Sequence, residues 1–231
     1  MTDIAALKAA NARRWANARL TRGFSAVATH LVSPEAAKSR YRAVSAKTGV
    51  PWPFIAVVHE RECSQDWTGS LAQGDPWDRV SVHVPAGRGP FKSWEEAAID
   101  ALDNCAPYPG RNKDWSIGGL LTKLEEYNGL GYAARGVPSP YLWAGTDQYR
   151  SGKYVRDGVY DPNAVDSQLG CAGLLMAMMA LDPTITFTGV TSVPMPPKAS
   201  GPKPSFTKPA NGSIGAWVAS LLSSIFKSKG K

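Results

Sequence analysis

The sequence predicts a mainly helical protein of the α+β class with one small β-hairpin. Two segments begin with helix-capping signals: Ser93 precedes two glutamates, and Ser33 precedes Pro34 and an acidic residue. One short run, residues 79–84, alternates between polar and apolar side chains, which is typical of a strand. The 231 residues are 43% hydrophobic and 19% charged, so the chain can bury a core.

The other elements are placed by apolar periodicity and by the residues that end it. The 22 glycines and 18 prolines indicate many loops. The helices that we expect cover residues 1–32 (one or two short helices), 34–46, a stretch from Pro53, 93–102, 114–127 and 163–180. The irregular segments that we expect are residues 67–92, which contain the hairpin, and residues 129–162.

Composition divides the chain into four parts. Residues 1–32 form an N-terminal helical extension, and residues 33–182 form the main folded domain. Residues 183–213 are rich in proline and lysine, which is typical of an extended linker. Residues 214–231 are a short apolar segment that ends in lysines.

The net charge of +7 belongs to the tail rather than to the folded domain. Six lysines and no acidic residue follow Asp182. Nucleic-acid binding needs basic residues clustered on a folded face, so no nucleic-acid partner is predicted. The apolar residues 214–226 are too few to cross a bilayer of about 30 Å at about 1.5 Å per residue. Two alternatives remain for this segment: contact with an anionic membrane or wall surface, or docking on the protein or a neighbour.

The N-terminus and the cysteines are the two features of the sequence that bear on the cellular location. The first residues lack the uninterrupted apolar stretch of a secretory signal. We therefore expect synthesis in the cytoplasm, and action outside the membrane would need another release route. Cys63, Cys105 and Cys171 fit neither a metal motif nor a disulfide framework, so we expect them to be reduced and mostly buried.

The helix that begins near Pro53 places one carboxyl group within its apolar stripe. At 100° per residue, Glu62 falls on the same side as Phe54 and Val58, whereas Glu60 falls on the far side. A carboxyl that is partly desolvated has a raised pKa, as a general acid requires near neutral pH. The alternative is a structural glutamate paired with an arginine of the core, such as Arg61 or one from elsewhere in the chain.

A second carboxyl and a hydroxyl follow in the expected hairpin. Asp75 lies in a Gly-Asp-Pro turn, and Ser81 comes six residues later. A helix that ends in a glutamate, followed by a hairpin with an aspartate and a hydroxyl, can form a glycosidase cleft in which the second group acts on the opposite face of the sugar. The alternative is that Asp75 only stabilises its turn.

Other kinds of site are weaker candidates. His59 and His83 with a neighbouring glutamate suggest a metal site, but 24 residues separate them and HExxH is absent. Cys63 and Cys105 show no Cys-His pattern for a nucleophile, and no nucleotide-binding glycine motif is present. We therefore expect no metal and no cofactor.

Several short motifs, in this order, resemble those of lysozyme-fold peptidoglycan hydrolases of phages and prophages. They are His59-x-Arg61-Glu62, Gly74-Asp75-Pro76, the HVPAGR run at 83–88, the helix at 94–102, Tyr127-Asn128-Gly129, and the run 136–153. The Tyr-Asn pair also resembles a motif of lytic transglycosylases. The resemblance covers about residues 35–180.

The resemblance implies a lysozyme-like catalytic domain over 33–182, with a β-hairpin beside the cleft and Glu62 as the catalytic acid. The partner would be bacterial peptidoglycan, cut between N-acetylmuramic acid and N-acetylglucosamine, with Asp75 and Ser81 completing the reaction. Sugar rings present flat apolar faces, so aromatic side chains are expected near the glycan, above all Tyr127 and Trp143. Asn128 is expected to hydrogen-bond an N-acetyl group.

The sequence departs from the patterns of this group at three points. The step from Glu62 to Asp75 is 13 residues, Ser81 stands in place of threonine, and Cys63 follows the glutamate in place of serine or glycine. Two alternatives to a hydrolase therefore stay open: a lytic transglycosylase that releases anhydro sugars, and a non-catalytic wall-binding or virion structural protein. Under each of these hypotheses, including the hydrolase, the chain is expected to act on the wall after release or to be carried in a phage particle.

Overall fold

The computed structural model describes residues 2–190, and within that range it is mainly helical with one two-stranded antiparallel sheet. A 3₁₀ helix covers Pro109–Arg111. The α-helices and strands have these bounds: α1 Ile4–Asn17, α2 Ser25–Val32, α3 Glu35–Thr48, α4 Trp52–Cys63, α5 Trp94–Asn104, α6 Ile117–Asn128, α7 Gly131–Ala134, α8 Pro140–Trp143, β1 Lys153–Arg156, β2 Val159–Asp161 and α9 Cys171–Leu181.

Helix α4 runs through the core. Its residues from Phe54 to Val58 are fully buried, and α3, α6 and α9 pack against it. Pro53 in the first turn suits the start of the helix, where backbone N–H groups have no helical partner. The helix ends because Ser64 and Gln65 both adopt the left-handed conformation, with φ of 50° and 62°. The chain therefore turns sharply directly after Glu62 and Cys63.

The first two helices belong to the same core as the rest of the described chain. Helix α1 lies along α6, and α2 packs against α9. Trp15 and Phe24 are buried. Gly118 lets α1 approach closely, since a Cβ there would lie 3.0 Å from the carbonyl oxygen of Lys8. Residues 2–32 are thus packed into the main body of the protein.

The β-hairpin lies later in the chain than the sequence predicted. Residues 79–84 form an irregular loop, and the hairpin is made by β1 and β2 with Tyr154 opposite Tyr160. Burial does alternate along this loop, but the polar side chain is the one inside: Ser81 is buried, whereas Val82 is 77% exposed. The missed signal is the Asp-Gly pair at the turn, flanked by β-branched and aromatic residues, where Gly158 adopts a φ of 68°.

Three predicted boundaries also need correction. Residues 129–162 contain α7, α8 and the hairpin rather than irregular chain alone. The last helix begins at Cys171 rather than at residue 163, because Arg22 binds the backbone carbonyls of 166–168 in a loop. Helix α6 begins at Ile117 rather than at 114, since Ser116 is its N-cap.

Other predictions agree with the structure. Ser93 caps α5 by accepting a hydrogen bond from the backbone of Glu96. The three cysteines are free, with Cys105 and Cys171 buried and Cys63 partly buried. Within residues 2–190, no helix has the length and apolarity that a bilayer crossing requires. The predicted linker beyond residue 190 and the segment 214–231 lie outside the described residues.

Candidate active site

Glu62 lies at the C-terminal end of α4, and its side chain is almost completely enclosed. The residue is 8% exposed. Its Oε1 accepts a hydrogen bond of 2.9 Å from the Tyr141 hydroxyl of α8. Burial raises the pKa of Glu62 to about 7, against the opposing effects of the Tyr141 hydrogen bond and the nearby Arg61 charge. Near neutral pH this carboxyl is therefore divided between its acid and its base form.

Arg61 is not the ion partner of Glu62, although it precedes it in the chain. Its Nη2 lies 3.1 Å from Oδ2 of Asp166, and its Nη1 donates to the Leu169 carbonyl. The guanidinium also lies over the Tyr141 ring, 4.7 Å from its centroid. The sequence left open that Glu62 is a structural glutamate paired with Arg61 or with an arginine from elsewhere in the chain. In the structure, Arg61 forms its ion pair with Asp166 instead.

Two tyrosines and a thiol surround the Glu62 carboxyl from other helices. Burial raises the pKa values of Tyr127, Tyr141 and Cys171 above their usual values, and the charge of Glu62 adds to each shift. These groups therefore stay protonated at neutral pH. Tyr127 also donates a 2.9 Å hydrogen bond to the carbonyl of Leu71. That bond ties the loop after α4 to helix α6, close to the carboxyl.

Asp75 lies in the loop between α4 and α5, and its carboxylate is bound by groups of the same loop. Oδ2 accepts 2.9 Å hydrogen bonds from the backbone N–H groups of Val82 and His83, and Oδ1 binds the His83 ring. Burial alone would raise the pKa of Asp75, but the hydrogen bonds from His83 and Val82 outweigh it and hold the pKa below its usual value. Asp75 is therefore ionised at neutral pH.

Ser81 has a similar place in this loop. Its hydroxyl donates to the Pro85 carbonyl at 3.0 Å and accepts from the backbone N–H of Arg88 at 2.9 Å. Within residues 2–190, neither Ser81 nor Asp75 makes a hydrogen bond to Glu62. Their roles in a reaction stay predictions, and the contacts that they do make stabilise the loop.

The predicted substrate-binding residues differ in their accessibility. Tyr127 is partly exposed, and Asn128 is buried as the last residue of α6. Trp143 is completely buried in the core. It therefore offers no free ring face to a sugar, and its prediction as a stacking residue finds no support in the structure.

His59 has a structural surrounding rather than that of a metal ligand. Its Nε2 donates to the Asp66 carbonyl, so its Nδ1 accepts from the Tyr41 hydroxyl at 2.9 Å. Burial lowers the pKa of His59 to about 4, so the ring is neutral and packs against Trp67 and Trp94. Within the described part of the chain, no three side chains of histidine, cysteine, aspartate or glutamate are grouped to hold a metal ion.

Sequence reasoning missed two residues of this site. Tyr141 lies within the run at 136–153 but carried no individual signal for contact with Glu62. Asp166 lies 105 residues after Arg61, in a segment predicted to be helical. Only the folded chain brings these side chains together.

No protein-family model, curated protein or solved structure matches this chain.

Proposed function

We propose that this protein is a lysozyme-like glycosidase that cleaves the glycan of bacterial peptidoglycan, with Glu62 as its general acid. The single observation that supports it is the surrounding of Glu62: within residues 2–190 the carboxyl is enclosed, is bound by one neutral hydroxyl and makes no ion pair. Such a group can be protonated when a substrate arrives at neutral pH and can lose its proton during the reaction. The proposed fold is a lysozyme-like arrangement of helices around this position.

In the proposed mechanism, Tyr141 holds Oε1 and Glu62 delivers a proton to the bridging oxygen between N-acetylmuramic acid and N-acetylglucosamine. The bond from the muramic anomeric carbon to that oxygen then breaks, and positive charge develops on the sugar ring. The carboxylate left on Glu62 takes a proton from the incoming nucleophile, which restores the acid. In the hydrolytic form of the reaction the nucleophile is water.

One observation favours the second candidate, a lytic transglycosylase. A hydrolase of this type uses a second carboxylate on the opposite face of the sugar. Within residues 2–190, the three hydrogen bonds of the Asp75 carboxylate are all made within its own loop. When a hydroxyl of the muramic sugar itself attacks the anomeric carbon, a single acid and base is sufficient, and the product is an anhydro sugar.

The decisive experiment is the digestion of purified peptidoglycan by the wild type and by Glu62→Gln. The variant keeps the size of the side chain but has no proton to donate, so we expect a loss of turnover of at least about 100-fold. Glu60→Gln is the matched control. Glu60 lies on the same helix and binds Gln65, and we expect this variant to retain most of the activity.

The products and the null result separate the alternatives. Mass analysis distinguishes hydrolysis from transglycosylation, because only hydrolysis adds water. If wild-type protein binds the wall but neither clears permeabilised cells nor releases fragments, the proposal is wrong and a non-catalytic wall-binding or virion structural role replaces it.

We further propose that the basic tail contacts anionic wall or lipid. Each basic residue near an anionic surface contributes about 1 kcal/mol. Deletion of residues 190–231 is expected to leave the digestion of purified peptidoglycan unchanged and to weaken attack on whole envelopes. Equal loss in both assays would contradict this role.

A further inference from the structure

We infer that Asp166 is a positioning residue of this site, because it holds the guanidinium of Arg61 and so prevents that charge from pairing with Glu62. This inference rests on the proposed function for its catalytic meaning. The effect of the Asp166 carboxyl on the titration of Glu62 can be tested without any substrate.

The pair of Arg61 and Asp166 is buried. Their side chains are 3% and 2% exposed, and the distance between Nη2 and Oδ2 is 3.1 Å. A buried guanidinium that loses its partner carries a large desolvation penalty. It would then be drawn to another carboxyl, and Glu62 is nearby because both the guanidinium and the Glu62 carboxyl contact Tyr141.

Asp166 is held in place independently of Arg61. Its Oδ1 accepts hydrogen bonds from Nζ of Lys153 at 3.1 Å and from the backbone N–H of Gln168 at 3.2 Å. Its own backbone N–H donates to the Tyr149 hydroxyl. Lys153 begins β1, so the hairpin and the loop before α9 together fix the carboxylate that binds Arg61.

Arg61 also reaches Glu62 through Tyr141. The guanidinium stacks over the Tyr141 ring, and the hydroxyl of the same ring binds Glu62. The position of Arg61, set by Asp166, therefore bears on both the charge near Glu62 and the orientation of its hydrogen-bond donor.

The other titratable groups that face this site are neutral or occupied. On α4 they are Arg61 and Cys63, whereas Glu60 lies on the other side of this helix. The remaining ones are Tyr127 on α6, Tyr141 on α8 and Cys171 on α9. Glu60 is bound by Gln65. Burial keeps the thiols and phenols protonated. Within residues 2–190, Arg61 is thus the charged group that lowers the pKa of Glu62, and Asp166 offsets its charge.

The test is the titration of Glu62 by carbon-13 NMR of labelled glutamate side chains, assigned with Glu62→Gln. In Asp166→Asn the Arg61 charge is no longer offset, so we expect the midpoint of Glu62 to fall by at least about one pH unit. If the protein also cleaves glycan, the alkaline limb of its pH profile should move down by the same amount. A merely structural role would lower activity equally at every pH.

A second variant keeps the inference testable if Asp166→Asn does not fold. The double variant Asp166→Asn with Arg61→Met removes both charges, and buried pairs tolerate neutral replacement better than the loss of one partner. Because the cation is gone, we expect the midpoint of Glu62 to lie at or above its wild-type value. Asp182→Asn is the matched control, since Asp182 pairs with Lys38 away from this site, and it should not move the midpoint.

The outcomes separate the inference from the proposed function. A midpoint that does not move in Asp166→Asn, or that falls in the double variant, overturns the inference. A midpoint that falls as expected in a protein whose wild type never cleaves glycan supports the inference and overturns the proposed function alone.

Discussion

Glu62 at the end of α4 and Asp75 in the following loop are both enclosed carboxyl groups, and the structure gives them opposite surroundings. Glu62 is bound by one neutral hydroxyl, and burial raises its pKa to about 7. Asp75 is bound by two backbone N–H groups and a histidine, and these hold its pKa below the usual value in spite of burial. The number of donors, more than burial alone, decides which carboxyl can carry a proton at neutral pH.

This difference predicts opposite effects on stability. Ionised Glu62 is penalised in the folded protein, because its folded pKa lies above the unfolded one. Ionised Asp75 is favoured there, because its folded pKa lies below the unfolded one. The Glu62 carboxyl therefore costs stability at neutral pH, whereas the Asp75 carboxylate contributes to it.

The largest expected effect is on the pH dependence of stability at Glu62. The folded protein binds the extra proton between the unfolded pKa near 4.5 and the folded pKa of about 7, so stability falls as the pH rises through that window. The full difference is about 3 kcal/mol. Relative to the wild type, Glu62→Gln should become more stable as the pH is raised from 5 to 8.

Urea unfolding of both proteins at pH 5, 6, 7 and 8 measures this effect. Glu35→Gln serves as the control, because Glu35 is an exposed glutamate on α3. If the stability difference between Glu62→Gln and wild type does not change over this range, Glu62 titrates like an exposed group, and the contrast with Asp75 fails.

The next effect is the loss of the Asp75 carboxylate. Asp75→Ala leaves the N–H groups of Val82 and His83 without their acceptor, so we expect a loss of about 1–3 kcal/mol at pH 7. Since the folded pKa is depressed, this contribution is present above the unfolded pKa and is lost as the pH falls through the folded one. Urea unfolding at pH 7 and pH 3 measures it.

Asp78→Ala provides the control, because Asp78 is an exposed residue in the same loop with only a loose contact to Arg79. If Asp75→Ala abolishes glycan cleavage without loss of stability, Asp75 takes part in the reaction. The interpretation that it only stabilises the loop is then wrong.

The sequence predicted the position of Glu62 in this comparison well. The position of Glu62 on a buried helix face follows from a periodicity of 3.6 residues, which depends only on neighbours in the chain. The start of α5 followed in the same way from Ser93. These are local features, and the local sequence was sufficient for them.

The rest depends on contacts between distant residues. Residues 79–84 alternate like a strand, yet the Asp75 carboxylate binds the backbone of Val82 and His83 in place of a strand partner. Tyr141 and Asp166 meet Glu62 and Arg61 across 79 and 105 residues of sequence. No periodicity connects residues so far apart. The hydrogen-bond donor of Glu62 and the counter-charge of Arg61 were therefore not predictable from the sequence.

The smallest expected effect comes from the single donor that distinguishes Glu62. Tyr141→Phe removes the hydrogen bond to Oε1, which favours the ionised form, so the pKa of Glu62 should rise further, by less than about one unit. The alkaline limb of the activity profile should move to higher pH. Turnover at pH 6 should fall modestly, because the carboxyl is less well oriented.

Carbon-13 NMR of the glutamate side chains follows this shift directly. Tyr41→Phe is the matched control: Tyr41 is also a buried tyrosine bound to α4, but its partner is His59, so the Glu62 midpoint should stay in place. A midpoint that falls in Tyr141→Phe would mean that the hydroxyl stabilises the protonated acid. In that case the difference between Glu62 and Asp75 would lie in the kind of donor rather than in their number.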